Sequence, residues 1–390
     1  MPSSLQPAQR FLALDSWRGI CALLVAAHHI EVHSALYWQP LIRNAWLFVD
    51  FFFVLSGFVI AHAYGQRIGR AAGETRSFVI RRFGRLWPLH VTMLLAMVAL
   101  EVVRIFTQHY IPAADARLPF TQDHSVGAIV TNLFLVQALG FHDFETWNGP
   151  AWSISVEFYT YLVFAAVTTL VWGRIARLFA YVVIAIASVF VLLKFSDHGM
   201  RETFHWPIFR CFYGFFLGVL AYQSWGQQNP TAPRGTFAEL FALAAIVIFL
   251  TVAPGHRAWE YLATPLFAFA IFIFAQESGA ISRALTTRVP LALGRWSYSI
   301  YMVHTLVLSL LFSGVHTLDV LQHRSFMLHH NGGAIIELGS EWADDLLILA
   351  FLGVVIGFAS LTYRWIERPG QRFFNRWAGP KAVEIPAQTA

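Results

Sequence analysis

Charged residues are scarce in this sequence. Asp, Glu, Lys and Arg together make up 13% of the 390 residues, whereas hydrophobic residues make up 57%. A soluble domain holds about 25% charged and about 45–50% apolar residues, so an ordinary soluble domain is excluded. Several apolar runs exceed the roughly 18 residues that a membrane-spanning helix needs. With a mean hydropathy of +0.55, the composition predicts a polytopic membrane protein.

Cysteine is nearly absent as well. Cys21 and Cys211 both lie in apolar runs, and no CxxC or HExxH spacing occurs, so we expect neither a disulfide framework nor a metal site. The net charge is +5, but the arginines flank apolar runs instead of forming one patch, which argues against a nucleic-acid partner. The first apolar run carries Asp15 and Arg18 and lacks a cleavage site of small residues, so we expect no cleavable signal peptide.

The long apolar runs predict an all-α fold with about ten transmembrane helices. These spans cover residues 12–33, 46–64, 86–107, 151–172, 178–195, 207–225, 236–253, 260–276, 290–314 and 344–366. The apolar run 126–139 is shorter and is followed by turn-forming residues, so we predict a re-entrant or interfacial segment near 126–150, on the outer side. The arginines then concentrate on the loops of one side, which predicts cytoplasmic termini. We expect a single transmembrane domain over residues 1–376 and a short cytoplasmic tail over 377–390.

The first predicted span carries an unusual number of ionisable residues for a membrane helix. Such groups are costly in hydrocarbon and usually face the interior of a helix bundle. Arg18 and His29 are eleven residues apart, so they lie within about 20° on one face and about 16 Å apart along the axis. His33 falls on the same face one turn further on. This pattern indicates an anionic ligand and a proton-transfer group, and the alternative is an interhelical ion pair with hydrogen-bonded histidines.

Two further acids occur in predicted spans. Asp50 lies near the outer mouth of the second span, at a depth similar to that of His29, where it either orients the imidazole or is an interfacial acid. Glu157 lies roughly two turns below the outer surface and shares one face with Ser153 and Tyr161. A carboxylate at that depth needs a partner, and His29 is a candidate.

A cluster of arginines opens the third span. Arg82 and Arg85 share one helix face, and a planar guanidinium group is suited to phosphate oxygens. Arg81 belongs to the same cluster. The pattern favours a phosphorylated ligand that enters from the cytoplasm, and topology anchors or a lipid-headgroup site are the alternatives.

Three other segments carry polar residues. In the ninth span, Ser297, Tyr301 and His304 share one face. They either contact the substrate or form a hydrogen-bonded contact with another helix. Segment 363–369 is interpreted as a structural cap at the inner surface. Segment 315–342 is the longest outer loop and is rich in histidine, so it either shapes an acceptor site or is a loop free to vary.

These motifs, in this order, resemble the acyltransferase-3 family of integral membrane O-acyltransferases, which modify bacterial polysaccharides, lipopolysaccharide and some antibiotics. The matching segments are 14–20 together with the spacing from Arg18 to His29, and then 51–58, 81–88, 152–157, 296–304 and 366–369. The resemblance extends over about residues 10 to 375, and six motifs in register make it specific.

The resemblance implies an acyl-coenzyme A donor taken from the cytoplasm and transfer to a hydroxyl, often of a sugar, on the outer side of the bacterial inner membrane. It implies that His29 is the catalytic base, that Arg18 is its essential partner, and that Arg82 and Arg85 hold the coenzyme A phosphates. Acyl-coenzyme A is a co-substrate, so no cofactor is expected. We expect no hydrolase-like domain of the kind that is fused to some members, and we therefore expect this chain to complete the transfer itself or to pass the acyl group to a separate partner.

We therefore predict that His29 takes the proton of the acceptor hydroxyl, which attacks the thioester. Asp50 or Glu157 would hold the imidazole, and a covalent acyl-histidine intermediate stays open. The alternative function is a transporter or flippase for a glycolipid or small anionic solute, but no internal repeat is apparent. Four residues are candidates for substrate or oxyanion contacts: Trp152, Ser153, Tyr301 and His304.

Overall fold

A computed structural model describes residues 10–69, 73–108, 118–225, 235–253, 255–323, 325–330 and 333–379. The protein is all-α, as predicted, and a two-stranded antiparallel hairpin is the sheet within these ranges. The helices are α1 Leu12–His29, α2 Pro40–Arg43, α3 Phe48–Tyr64, α4 Glu74–Thr107, α5 Val126–Leu133, α6 Trp152–Leu170, α7 Arg174–Phe195, α8 Pro207–Trp225, α9 Gly235–Val252, α10 Arg257–Glu260, α11 Ala263–Phe274, α12 Ala280–Leu285, α13 Arg288–Gln322, α14 Glu341–Thr362 and α15 Arg368–Trp377. The strands are β1 Met327–His330 and β2 Gly333–Ile336.

Each of the ten predicted spans coincides with a helix. In the described part of the chain, eight helical segments are long and apolar enough to cross a membrane. The other two predicted spans are α1 and α8, with 18 and 19 residues, and these helices carry Arg18 and Arg210 within their sequences. Interior cations of this kind are typical of helices that surround a polar site. The protein is therefore a multi-pass membrane protein.

Glycine lets two helix pairs approach very closely. Where α1 crosses α13, a Cβ atom added at Gly294 would lie 2.6 Å from the carbonyl carbon of Asp15. Where α3 crosses α8, a Cβ atom at Gly57 would lie 2.7 Å from the carbonyl carbon of Phe215. Small residues at such crossings are how membrane helices gain packing contacts in a solvent that offers no hydrophobic drive. These two crossings fix the positions of α1, α3 and α13, which carry predicted site residues that include Arg18 and His29.

The first helix is shorter than predicted. It ends at His29, because the residues beyond it are extended and pair with β2: Ile336 donates its backbone N–H to Glu31 and accepts from the N–H of His33. The prediction that His33 continues the face of His29 is therefore wrong. The His33 imidazole lies instead 3.5 Å from the carboxylate of Glu337.

Segment 126–150 does not cross the membrane, as predicted. Its helix α5 has eight residues, about 12 Å, which is less than half the thickness of the hydrocarbon layer. The side chains of Trp87 and His90 on α4 bind the carbonyl groups of Leu133 and Asn132, both at 3.0 Å. The chain then runs through turns into a 3-10 turn, Gly149–Ala151, that leads into α6.

Two segments in the last quarter of the chain have structures that differ from those predicted. Segment 315–342 is not a long loop, because α13 continues to Gln322 and the β1–β2 hairpin follows. Segment 363–369 is not a simple cap, because the π-helical turn Tyr363–Glu367 continues directly into α15 and buries Glu367. The predicted tail after residue 376 lies mainly outside the described residues.

Candidate active site

A cavity of about 140 Å³ lies between α1, α3, α4, α6 and α13. Helix α3 supplies an apolar wall that includes Val49, Phe52 and Val59. The other four helices contribute most of the polar lining residues. They bring together six of the residues predicted from the sequence: Arg18, Arg82, Arg85, Ser153, Glu157 and Tyr301.

Arg18 is held against α13 by two hydrogen bonds. Its Nε donates to Ser297 Oγ at 2.7 Å, and its Nη2 donates to the Gly294 carbonyl at 3.1 Å. Asp15 lies 3.5 Å from the same guanidinium group, but this carboxylate also accepts from Arg10 at 2.7 Å. Because Asp15 is shared between two arginines, Arg18 keeps part of its positive charge facing the cavity.

Arg85 is fixed by a buried carboxylate. Its Nη1 pairs with Glu367, and the second oxygen of Glu367 accepts from Ser299 Oγ at 2.7 Å. The Arg85 guanidinium also lies over the ring of Tyr298, 5.3 Å from its centroid. The π-helical turn aims Glu367 inward, so the last helices of the chain set the orientation of this cation.

Arg82 has no carboxylate within ion-pair distance among the described residues. Its guanidinium packs over aromatic rings, the nearest being Tyr64 at 5.3 Å, and its Nη2 donates a weak hydrogen bond of 3.4 Å to the Tyr64 hydroxyl. The Nε–H is buried and has no hydrogen-bond partner in the described structure. A buried donor without a partner is costly, so an anion in the cavity would satisfy it.

Arg81, which was predicted with the other two arginines, does not line the cavity. Its Nη2 donates to the Gly379 carbonyl at 2.6 Å, and its Nε and Nη1 reach Ser77 and Asn375. Arg81 is about 100° around the helix from Arg82 but only about 40° from Arg85, so its angle on α4 does not exclude it from the cavity. Its guanidinium group is instead turned toward Asn375 and Gly379. The structure therefore assigns Arg81 to the packing of α15 and corrects its grouping with the cavity arginines.

Glu157 faces the cavity but does not contact His29 in the described structure. It accepts a hydrogen bond of 2.6 Å from the Tyr161 hydroxyl. Because that hydroxyl has only one hydrogen, Ser56 Oγ, at 2.9 Å, must donate to the Tyr161 oxygen. The hydrogen bonds from Ser56 to Tyr161 and from Tyr161 to Glu157 thus hold this carboxyl group in the cavity wall.

Asp50 pairs with a residue that the sequence reasoning missed. Both of its oxygens accept 2.8 Å hydrogen bonds from Arg210 Nε and Nη2, and both side chains are buried. The rings of Trp46 and Trp152 lie 5.5 and 5.1 Å from this guanidinium. The expected contact between Asp50 and His29 is therefore absent from the described structure. The signal for Arg210 was an arginine inside an apolar span.

His29 is oriented by the backbone instead of a carboxylate. Its Nδ1 lies 2.8 Å from the carbonyl oxygen of Val25, one turn earlier. A carbonyl only accepts, so Nδ1 carries the hydrogen and Nε2 keeps its lone pair, which is the tautomer that a general base requires. The ring of the buried His304 lies 4.9 Å from that of His29, and the ring of Tyr301 lies 5.9 Å from His304.

The two candidate oxyanion donors are engaged with each other. Ser153 Oγ lies 2.8 Å from the Tyr301 hydroxyl, and each lies 3.0 Å from the Pro150 carbonyl. Two hydroxyl hydrogens serve three contacts, so one contact is always unmade and the pair can re-aim one hydrogen at little cost. Tyr301 lines the cavity, whereas His304 and His29 do not. The His304 ring lies next to Tyr301 and the His29 ring lies next to His304, so His29 is linked to the cavity wall through two side chains. In the described residues, no group of three or more His, Cys, Asp or Glu could hold a metal ion.

Comparison with known proteins places this chain in a family. The family model described as an acyltransferase domain matches residues 11–366. The acyltransferase MdmB of Streptomyces mycarofaciens is 26% identical over 94% of this chain and 93% of its own length. Protein 2 in the picA locus of Rhizobium radiobacter is 32% identical over 49% of this chain and 96% of its own length.

A more distant relative is the peptidoglycan O-acetyltransferase OatA of Listeria monocytogenes, which is 21% identical over 95% of this chain and 57% of its own length. No solved structure matches. The family match covers most of the chain and contains every residue that lines the cavity. This chain therefore belongs to the acyltransferase-3 family of membrane O-acyltransferases.

Proposed function

We propose that the protein transfers an acyl group, with acetyl as the simplest case, from cytoplasmic acyl-coenzyme A to a hydroxyl of a carbohydrate or glycoconjugate on the outer face of a bacterial inner membrane. The resemblance of its motifs to those of the family supports acyl-coenzyme A as the donor. A relative named as a peptidoglycan O-acetyltransferase supports the class of acceptor. The arginines near the starts of α4, α7 and α13 support a location of these ends, and of both termini, in the cytoplasm.

The observation that carries the proposal is the convergence of Arg18, Arg82 and Arg85 on one cavity. Two of these cations have carboxylate partners, and Arg82 has none within ion-pair distance in the described structure. A guanidinium group binds phosphate oxygens in a bidentate manner. Coenzyme A carries phosphates at one end and the thioester at the other, so we propose that Arg82 and Arg85 hold the phosphates while the pantetheine arm follows the apolar wall of α3.

In this mechanism His29 Nε2 removes the proton from the acceptor hydroxyl while the hydroxyl oxygen attacks the thioester carbonyl carbon. The tetrahedral intermediate collapses by breaking the carbon–sulfur bond. The coenzyme A sulfur takes up the proton, and the ester is left on the acceptor. The hydroxyls of Ser153 and Tyr301 are placed to donate to the oxyanion when one of them turns from Pro150.

The other candidate residues take supporting roles in this proposal. His304, beside His29, is proposed to limit the space around the reacting imidazole. Glu157 is proposed to balance the cavity arginines when no donor is bound. Asp50 acts through Arg210, whose guanidinium packs on Trp152 at the start of α6. Asp50 is therefore a positioning residue for the helix that carries Ser153 and Glu157.

The test is the release of free coenzyme A from acetyl-coenzyme A by the purified protein, supplied with a membrane glycan extract. We expect His29→Ala to reduce release by at least a hundredfold, since general-base catalysis contributes about 10²–10⁴. The matched control is His33→Ala, because this imidazole lies beyond the end of α1, where it faces the carboxylate of Glu337 at 3.5 Å. Unchanged release by His29→Ala, or an equal loss in both variants, would contradict the assignment.

A further inference from the structure

A second cavity of about 210 Å³ lies where the end of α3 meets the start of α7 and the end of α8. It shares no lining residue with the cavity of the proposed active site. Two arginines, Arg174 and Arg177, line it together with polar and apolar side chains. Nothing in the proposed reaction uses this space.

The two arginines have unpaired positive charge. In the described structure neither has a carboxylate within ion-pair distance, and the one hydrogen bond between them and the protein is a long one, 3.4 Å, from Arg177 Nε to the Gly173 carbonyl. Both lie in the first turn of α7, which has no acidic residue. Cations at the N-terminal end of a helix are repelled by the helix dipole, and the two arginines also repel each other. A bound anion would offset both repulsions.

The floor of this cavity is unsuited to a small free anion. The floor is the apolar part of the lining and consists of Ala61, Phe164, Leu178 and Val219. The side-chain amides of Gln66 and Gln223 also line the cavity, and the Tyr181 hydroxyl is already paired with Thr168 at 2.8 Å. A molecule that fills the space must place a negative group between the arginines and a hydrocarbon portion on the floor. A phosphate headgroup attached to acyl chains has this form.

The position of α7 indicates that such a molecule reaches the cavity from the membrane. Only 22% of its most apolar segment is buried, and Ile175, Phe179 and Ile186 are each more than 60% exposed. This helix therefore lies at the edge of the bundle, against lipid. Trp172, two residues before Arg174, is 88% exposed. Exposed tryptophans at a helix end lie at the level of lipid headgroups, so the arginines lie at the depth of lipid phosphates.

We propose that this second cavity is a binding site for an anionic membrane lipid. The phosphate group of the ligand is held between Arg174 and Arg177. This phosphate belongs to a lipid, because the apolar floor accepts the first carbons of the acyl chains. Basic pockets between membrane helices on the cytoplasmic side recognise anionic headgroups in this way. The bound lipid bridges α3, α7 and α8 and stabilises the folded protein by mass action. The proposal does not depend on the identity of the acyl donor or acceptor.

The test measures thermal unfolding of the full chain in detergent with added phosphatidylcholine, phosphatidylglycerol, inorganic phosphate or coenzyme A. The double variant Arg174→Gln/Arg177→Gln is compared with Arg283→Gln/Arg288→Gln, which removes two exposed arginines at the same end of the bundle. Arg174→Lys/Arg177→Lys keeps the charge and serves as a second control. Titration of the unfolding midpoint with lipid gives the apparent affinity.

We expect phosphatidylglycerol to raise the unfolding midpoint of the wild type and of both controls. We expect the double variant to bind this lipid roughly thirtyfold more weakly, which corresponds to about 1 kcal/mol for each arginine. An equal response in the two glutamine variants would overturn the proposal, because the effect would then be general surface charge. A response of the wild type to inorganic phosphate or coenzyme A that equals its response to the lipid, and that depends on Arg174 and Arg177, would also overturn it.

Discussion

The close crossing of α1 and α13 gives a direct test of how the site is held together. Gly294→Ala adds one methyl group whose carbon would lie 2.6 Å from the Asp15 carbonyl carbon, whereas ordinary contacts begin at 3.4 Å. The atoms in the way belong to the backbone of α1, so no side chain can turn aside. The two helices must therefore separate by about 1 Å, which costs roughly 1–3 kcal/mol in a packed interior.

The same displacement affects the cavity. Arg18 lies one turn from the crossing and donates to Ser297 at 2.7 Å and to Gly294 itself at 3.1 Å. His29 lies on the same helix, so it moves with α1. Because a displacement of 1 Å at a reacting centre can reduce the rate about a hundredfold, we expect a loss of activity well beyond the loss of stability.

The measurement combines coenzyme A release with the thermal unfolding midpoint. Gly314→Ala is the matched control: it makes the same change on the same helix, where an added Cβ meets nothing within 4 Å. We expect this control to keep full activity and to gain stability, since alanine favours a helix by about 0.5–1 kcal/mol over glycine. If Gly294→Ala matched the control in both activity and stability, the account of a crossing fixed by contact would be refuted.

Two further predictions concern polar contacts outside the arginine cavity. Asp50→Asn removes the negative charge that pairs with the buried Arg210 guanidinium group, so we expect the free energy of unfolding to fall by about 3–5 kcal/mol. The double variant Asp50→Leu/Arg210→Met should recover most of this loss, and equal losses in the two variants would contradict the reasoning. Burial raises the pKa of Glu202, but hydrogen bonds from Ser196 and from backbone amides, including that of His205, outweigh it, so the pKa falls below its ordinary 4.5. The stabilisation is therefore complete above pH 4.5 and is lost as the pH falls through the lowered value. Glu202→Gln should cost about 1–2 kcal/mol at neutral pH, and its unfolding midpoint should converge with that of the wild type in acid, whereas parallel pH profiles would contradict this assignment.

The overall fold could be predicted because hydrophobicity in a membrane is a local signal. Each of the ten predicted spans coincides with a helix, and the apolar run 126–139 differs from them in its shorter length and in the turn-forming residues that follow it. The errors arose where the end of an element depends on distant residues. Helix α1 stops at His29 because residues 31–33 pair with the strand that ends at Ile336. A local sequence pattern cannot predict a partner that lies about three hundred residues away.

The sequence predicts which residues belong to the site better than it predicts which residues they contact. Helical periodicity placed Arg82 and Arg85 on one face, and the structure brings them to one cavity with Arg18. Periodicity does not separate Arg81 from Arg85, which is four residues further on, so the contacts of Arg81 with Asn375 and Gly379 could not be predicted from the sequence. The partners of Asp50 and His29 depend on tertiary packing: Arg210 comes from another helix, and a backbone carbonyl takes the place of the expected carboxylate.

The most direct test of the account compares two adjacent arginines. Arg82→Gln and Arg81→Gln remove the same charge one residue apart on α4, but only Arg82 lines the cavity. The measurement is the binding of acetyl-coenzyme A to the purified protein, by calorimetry. We expect Arg82→Gln to weaken binding on the order of tenfold or more, as for the loss of a charged hydrogen bond to phosphate, and Arg81→Gln to leave it unchanged. Equal effects of the two substitutions would contradict the claim that this cavity receives the donor.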